Sequence, residues 1–392
     1  MSQGLIIWLI IMNKLNSIQF LRGFAAVFVV AFHFRVALND VYAQTNLGDL
    51  LFSNGAFGVD LFFVISGFII HYSTMRDDSC SSFAIKRFFR IYPVYIVAFL
   101  FYLFFVQFDF SKLTFSEVWF NYSDVIKSVF FITSDMSKPG PFYGYGLLYP
   151  AWTLTYELYF YFVFMICMLI SHKHRALLVV LSISLISICG QLFFSGSFTL
   201  DPYSAGVGDV SGHIDHLKFS FNPIVFDFLA GVLISCAYQR INNSNFSFNL
   251  SLIKFITFSA LTFSVISIVN GYKSQHGVLN SGMIASMLFI SMITLEGLGI
   301  VRFWKFFSHI GDLSYSLYLI HVPILWSLNR YGDLISFYPG VNGIGKFITN
   351  FVIAYALSLL MYAFIEKPSI EMGKFFIKKF KTGKSQSVKS YA

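Results

Sequence analysis

The sequence predicts an all-α integral membrane protein, with about ten transmembrane helices in one bundle and both termini in the cytoplasm. Composition is the first reason: of 392 residues, 56% are hydrophobic and only 12% charged, with a mean hydropathy of +0.69, which no soluble domain matches. The second is that apolar runs recur, each long enough at 1.5 Å per residue to cross a hydrocarbon core about 30 Å thick. The third is that Lys and Arg gather in alternate short connections and at the C-terminus, as the positive-inside rule requires. The net charge of +8 therefore reads as topology and not as nucleic-acid binding.

Taken in order, Met1 to Ile11 contains an apolar run too short to span and lacking a small-residue cleavage site, and Met12-Asn13-Lys14 is the more natural start. Residues 1–14 are read as a lead-in without function, 15–370 as one membrane domain and 371–392 as a basic cytoplasmic tail lying along anionic lipid. The predicted spans are about 16–36, 57–75, 88–108, 152–170, 176–195, 222–238, 252–270, 281–301, 308–328 and 343–365. Val125 to Thr133 is too short to cross and reads as a re-entrant or interfacial piece. No Gly/Ser linker or composition break divides the chain. With the N-terminus inside, most of the 27 Lys and Arg residues fall on the cytoplasmic side. Arg35, Lys112, Lys127, Lys138, Lys218, Lys273, Arg330 and Lys346 fall outside. The two longer outer loops, about 109–151 and 196–221, are then open to an external substrate. The first of them carries Lys112, Glu117, Asp124, Lys127, Asp135 and Lys138 without a recognisable constellation. The four cysteines have no paired spacing, so neither a disulfide framework nor a metal knuckle is indicated.

The polar residues inside these spans carry the functional signal, because ionisable groups in a membrane ordinarily face the bundle interior and mark a site. In Leu21-Arg22-Gly23-Phe24-Ala25-Ala26-Val27-Phe28-Val29-Val30-Ala31-Phe32-His33, Arg22 and His33 are eleven residues apart. At 100° per residue that brings them within about 20° of the same face, roughly 16 Å apart along the axis. The alternative is that Arg22 snorkels to one interface and His33 sits in the other. By depth, His33, Asp60, Glu157 and His321 fall in the outer half of four helices. If those helices are neighbours they surround a polar cavity, with Asp60 or Glu157 orienting an imidazole. Structural pairing between helices is the competing account of each carboxylate. Ser314, Tyr318 and His321 form a stripe on one face of the ninth helix, which fits a supporting or packing role. His213 and His216, near Asp209 and Asp215, read as a solvated loop and not as a metal site. At the cytoplasmic start of the third helix, Arg87 and Arg90 share a side of one turn and can grip phosphate oxygens, although basic residues are expected there for topology alone.

Together these residues resemble the membrane acyltransferase 3 family, over about residues 15–370. The likeness rests on the Arg22-x10-His33 pair, Gly58-Val59-Asp60-Leu61-Phe62-Phe63-Val64-Ile65-Ser66-Gly67-Phe68, Arg87-x-x-Arg90-Ile91-Tyr92-Pro93, and Pro150-Ala151-Trp152-Thr153-Leu154-Thr155-Tyr156-Glu157. It extends to Gly311-Asp312-Leu313-Ser314-Tyr315-Ser316-Leu317-Tyr318-Leu319-Ile320-His321 and Glu366-Lys367-Pro368. The resemblance implies transfer of an acyl group, usually acetyl, from cytoplasmic acyl-coenzyme A to a hydroxyl of a surface glycan such as O-antigen, capsule or exopolysaccharide, in a bacterial inner membrane and without a metal. It assigns His33 as the catalytic histidine, Arg22 as its companion, and Arg87 and Arg90 to the coenzyme A phosphates. His33 then acts as a base for direct attack or carries the acyl group itself. Arg22, Ser66, Tyr315 and Tyr318 are candidate oxyanion donors. Some relatives append an extracytoplasmic hydrolase-like domain; this chain ends about 25 residues after the tenth span. The rival reading is a polytopic transporter of an envelope glycan or lipid precursor.

Overall fold

The computed structural model describes residues 15–75, 79–109, 114–115, 121–205, 215–243, 249–303 and 305–389. The lead-in 1–14 and Arg76, Lys112, Glu117, Asp209 and His213 lie outside the described residues. Each of the ten apolar runs forms a helix: α1 (Asn16–Phe34), α2 (Phe57–Ser73), α3 (Cys80–Tyr102), α4 (Trp152–Ile170), α5 (Arg175–Ser195), α6 (Val225–Asn242), α7 (Leu250–Asn270), α8 (Ser281–Gly297), α9 (Lys305–Tyr331) and α10 (Ile344–Met361). A further helix, α11 (Lys367–Lys389), follows a single π-type turn, so the expected tail is helical. Among the described residues, seven helical stretches are long and apolar enough to cross a membrane, or eight if α6 is joined to the short helix before it across a 44° bend. The 17-residue α8 stands alone, whereas α2, of the same length, is extended by the helical turns from Leu47, and α9 is interrupted by polar residues. The chain is thus a helical membrane protein. The stretch expected at 125–133 is helical over Tyr122–Val129, docked on α3 by Tyr95 Oη donating to Ser128 O at 2.5 Å. The described strand content is one two-residue antiparallel pairing, Phe108–Asp109 with Thr114–Phe115.

Two glycine-mediated crossings set the bundle. Where α1 meets α9, a Cβ on Gly23 would lie 2.1 Å from Phe307 O and one on Gly311 2.0 Å from Gln19 O, so the backbones are in direct contact. Gly67 and Gly231 do the same between α2 and α6, each with a Cβ position 2.0 Å from the facing carbonyl. Small residues are what permit helices to approach so closely where lipid supplies no hydrophobic drive between them. Leu21, Ala25, Ala26, Val29 and Val30 of α1 are buried, whereas Leu185 and Phe193 of α5 and Phe255 and Val269 of α7 are exposed on the rim. The N-terminus of α1 is capped from α8: Glu296 accepts from Asn16 N at 2.8 Å, Ser17 N at 3.0 Å and Ser17 Oγ at 2.5 Å, meeting donors a helix start leaves open.

Candidate functional site

The α1–α9 crossing decides where the site forms. The two helices run side by side in the same sense, so Arg22 meets Ser314 and, further along, His33 meets His321. The polar stripe on α9 is therefore the face turned to the Arg22/His33 face of α1.

A cavity of about 150 Å³ opens beside Arg22, between α1, α2, α3, α4 and α9. Its polar lining includes Arg22, Arg87, Arg90, Glu157 and Ser66. Arg22 Nη2 donates to Ser314 Oγ at 2.9 Å, and Ser314 Oγ in turn donates to Gly311 O at 2.9 Å. Arg87 stacks over Phe83 and Tyr161 at 5.3 and 5.0 Å, and its buried Nε has no hydrogen-bond partner. Arg90 stands 3.3 Å from Glu366 Oε1, close enough for an ion pair though not aligned for a hydrogen bond. The fully buried Glu366 is held through its other oxygen by Ser316 Oγ at 2.6 Å. Glu157 accepts from Tyr161 Oη, and from Ser66 Oγ at 3.4 Å. Tyr315 Oη donates to Ile91 O at 3.0 Å and Tyr318 Oη to Pro150 O at 3.0 Å. Of the four candidate oxyanion donors, both tyrosines thus have their protons committed to carbonyls and Ser66 faces Glu157, while Arg22 uses one of its five N–H groups on Ser314.

His33 is not on the cavity wall. It is joined to it through Tyr318, which lines the cavity and whose ring is 5.9 Å from that of His321. His321 Nδ1 lies 2.7 Å from Tyr318 O, and His321 Nε2 lies 3.1 Å from His33 Nδ1, itself 2.9 Å from Val29 O. A carbonyl can only accept, so both Nδ1 atoms carry the proton. The neutral His321 is then an acceptor at Nε2, His33 Nδ1–H points at it and at Val29 O, and His33 Nε2 keeps a free lone pair. His321 is fully buried and His33 partly exposed. Arg35 secures the end of α1, donating to Asp49 at 2.7 Å and Phe32 O at 2.5 Å.

The expected polar cavity shared by His33, Asp60, Glu157 and His321 does not form: of the four only Glu157 lines the cavity, and neither carboxylate orients an imidazole of the pair His33/His321. The carboxylate of Asp60 is fully buried and occupied by His276 Nδ1 at 2.6 Å and Gly277 N at 2.8 Å, and Glu157 faces Tyr161. The groups that orient His33 are instead a backbone carbonyl and a second histidine. His276 carries no sequence signal, being one histidine in an irregular connection; it packs on Trp152 and Phe142, with ring centroids 5.7 and 6.0 Å away. Asp60 therefore ties α2 to the connection between α7 and α8, and His276 packs that connection on the segment that leads into α4. Asp215 pairs with Lys218 at 3.3 Å, and among the described residues no group of three or more His, Cys, Asp or Glu could hold a metal.

The family profile described as an acyltransferase domain matches residues 15–363. The chain belongs to the membrane acyltransferase 3 family. It is an acyltransferase. Among curated relatives of this acyltransferase, the exopolysaccharide production protein ExoZ of Rhizobium meliloti strain 1021 is 26% identical over 335 residues, 82% of this chain and 92% of that protein. Nodulation protein 10 of Rhizobium leguminosarum bv. viciae is 27% identical over 388 residues, covering 91% and 94%. YrhL of Bacillus subtilis strain 168, named as a candidate peptidoglycan O-acetyltransferase, is 24% identical over 94% of this chain and 58% of its own length. No solved structure matches the chain.

Proposed function

We propose that this acyltransferase moves an acyl group, acetyl in the first instance, from cytoplasmic acyl-coenzyme A to a hydroxyl of a cell-surface glycan at the outer face of a bacterial inner membrane. The relatives named for exopolysaccharide production and for peptidoglycan O-acetylation support the glycan. The observation that carries the chemistry is the tautomer of His33, whose Nε2 lone pair is left free by the Val29 and His321 contacts, on the same helix as the Arg22 of a cation-rich cavity.

The donor fits that cavity on charge and on an orphaned atom. Three guanidiniums face or flank it against the two carboxylates Glu157 and Glu366, and Arg87 Nε is buried without a partner, an arrangement suited to phosphate oxygens. Arg87 and Arg90 hold the phosphates, and acyl-coenzyme A supplies the activated thioester. His33 Nε2 takes the proton of the acceptor hydroxyl as that oxygen attacks the thioester carbonyl, and returns it to the departing thiolate. The same lone pair serves a two-step route in which His33 carries the acyl group. Arg22, on the cavity wall and roughly 16 Å from His33 along α1, uses its free N–H groups to hold the donor in the cavity and does not reach the carbonyl oxygen under attack. Asp60, through His276, positions the 142–152 segment and does not touch the reacting atoms.

The parallel course of α1 and α9 fits a topology in which both start on the cytoplasmic side. We place α8 and α9 as spans too, giving ten, with 15–370 as the membrane domain, 1–14 as a lead-in and the basic α11 along the inner leaflet. The test is transfer of label from [14C]acetyl-coenzyme A to base-deacylated surface polysaccharide by the purified protein. Base-labile label is expected with wild type and absent with His33→Ala. Unlabelled polysaccharide with folded wild-type protein would overturn the reading, and glycan movement across vesicles without acyl-coenzyme A would favour transport.

A further inference from the structure

The outer loop that offers no charged constellation in sequence folds so that its aromatic residues stand against His33. Tyr149 meets the His33 ring edge-on, with centroids 5.9 Å apart at 82°. Tyr145 stacks on Tyr149 at 4.2 Å and 28°, and the Tyr149 hydroxyl donates to that of Tyr145 at 3.0 Å. On the other side Tyr149 contacts Trp326 of α9, 6.0 Å away, and Trp326 contacts Tyr102 of α3 at 5.8 Å. Tyr145, Tyr149 and Trp326 are each partly exposed. At the end of this row Gln107 is buried, donates to Tyr102 Oη at 2.5 Å, and leaves its own carbonyl oxygen without a hydrogen-bond partner.

The backbone that presents Tyr145 is held in an unfavourable conformation. Tyr143, Gly144 and Tyr145 have φ of 45°, 73° and 58°, and for a bulky aromatic residue the left-handed region is an outlier that surrounding structure must enforce. The enforcement is visible: Ser134 N donates to Tyr145 O at 2.6 Å, Tyr145 N to Phe142 O at 3.0 Å, and Leu147 N to Ser128 Oγ at 3.1 Å. Aromatic residues at a membrane interface anchor to headgroups by pointing outward to the boundary. These rings instead stack on one another beside a histidine, and their hydroxyls bond to each other.

We propose that Tyr145, Tyr149 and Trp326 form the acceptor subsite, a platform on which a sugar ring of the glycan lies with its C–H face against the aromatic rings. The platform brings one sugar hydroxyl to His33 Nε2, and the tyrosine hydroxyls take further sugar hydroxyls. This deepens the transfer reading above and rests on it for the identity of the ligand. Flat, amphipathic sugar faces are what partly exposed aromatic rings with polar edges recognise.

The experiment titrates oligosaccharides cut from the base-deacylated surface polysaccharide into the full-length protein in nanodiscs, by calorimetry, and measures acetyl-coenzyme A affinity and label transfer on the same samples. Tyr149→Ala, Tyr145→Ala and Trp326→Ala are each expected to weaken oligosaccharide binding by about tenfold, the scale on which a well-stacked ring contributes, with acetyl-coenzyme A affinity within about twofold of wild type. Tyr149→Phe, which keeps the ring, is expected to bind within about threefold. The subsite is overturned if wild type does not bind the oligosaccharide, or if the alanine variants bind it as wild type does. Ring-dependent binding without label transfer would uphold the subsite and remove the transferase reading. Transfer with ring-independent binding would do the reverse.

Discussion

Replacing His321 by alanine isolates the part of the site that orients the imidazole. His33 Nδ1–H has two acceptors, Val29 O at 2.9 Å and His321 Nε2 at 3.1 Å. When His33 takes a proton at Nε2 the ring becomes cationic, and the bond to His321 becomes charge-assisted, contributing about 1.5–3 kcal/mol. At 1.36 kcal/mol per tenfold, its loss lowers kcat by about 10- to 150-fold. Val29 O still fixes the tautomer, so the loss stops short of that in His33→Ala. Donor KM stays near wild type because His321 is not on the wall of the cavity that carries the arginines. His321→Ala also empties a fully buried site and removes the imidazole's bond to Tyr318 O, costing about 2–4 kcal/mol of stability, so rates are compared per folded molecule after size-exclusion. The assay is label transfer to deacylated polysaccharide. His321→Gln, whose carbonyl oxygen can accept from Nδ1–H, is expected to recover most of the rate. Turnover by His321→Ala within about threefold of wild type, less than the smallest charge-assisted bond implies, would refute the reasoning, as would a glutamine variant no better than alanine.

The two arginines of the cavity separate by their partners. Arg87, stacked on two rings with an open Nε, is predicted on Arg87→Ala to raise acyl-coenzyme A KM by about 10-fold or more, one lost charge-assisted contact, with an unchanged melting temperature. Arg90→Ala leaves the fully buried Glu366 without its cation, so a stability loss of about 1–3 kcal/mol is expected by thermal melting, and Arg90→Ala/Glu366→Gln should regain part of it. Glu296→Ala removes three acceptor contacts from the start of α1 and should lower stability by about 1–2 kcal/mol, as lost N-caps do, while turnover per folded molecule is unchanged. Gly311→Val places a side chain where a Cβ already sits 2.0 Å from Gln19 O, and folded protein is expected to be lost in a size-exclusion profile.

The helices were legible because burial in lipid writes its length into the sequence: ten apolar runs became ten helices, with boundaries within a few residues except at α3, which starts at Cys80 and not near 88. The Arg22/His33 face and the Ser314/Tyr318/His321 stripe were legible for the same reason, since helical periodicity fixes which side chains share a side. Which stripe meets which face is not periodic. Depth alone put Asp60 level with His33, yet the rotation of α2 turns its carboxylate to His276, a loop residue with no pattern around it. Tyr145 and Tyr149 were hidden likewise, their place beside His33 being set by a left-handed turn and by contacts with distant Ser128 and Ser134.

The role of His33 in acyl transfer to a surface glycan is read from the O-acyl content of purified surface polysaccharide, by proton NMR before and after mild base, from cells with wild type, His33→Ala or no copy at matched protein levels. The acyl signals are predicted to vanish in both the null and the His33→Ala cells. Equal acylation in all three would contradict the account.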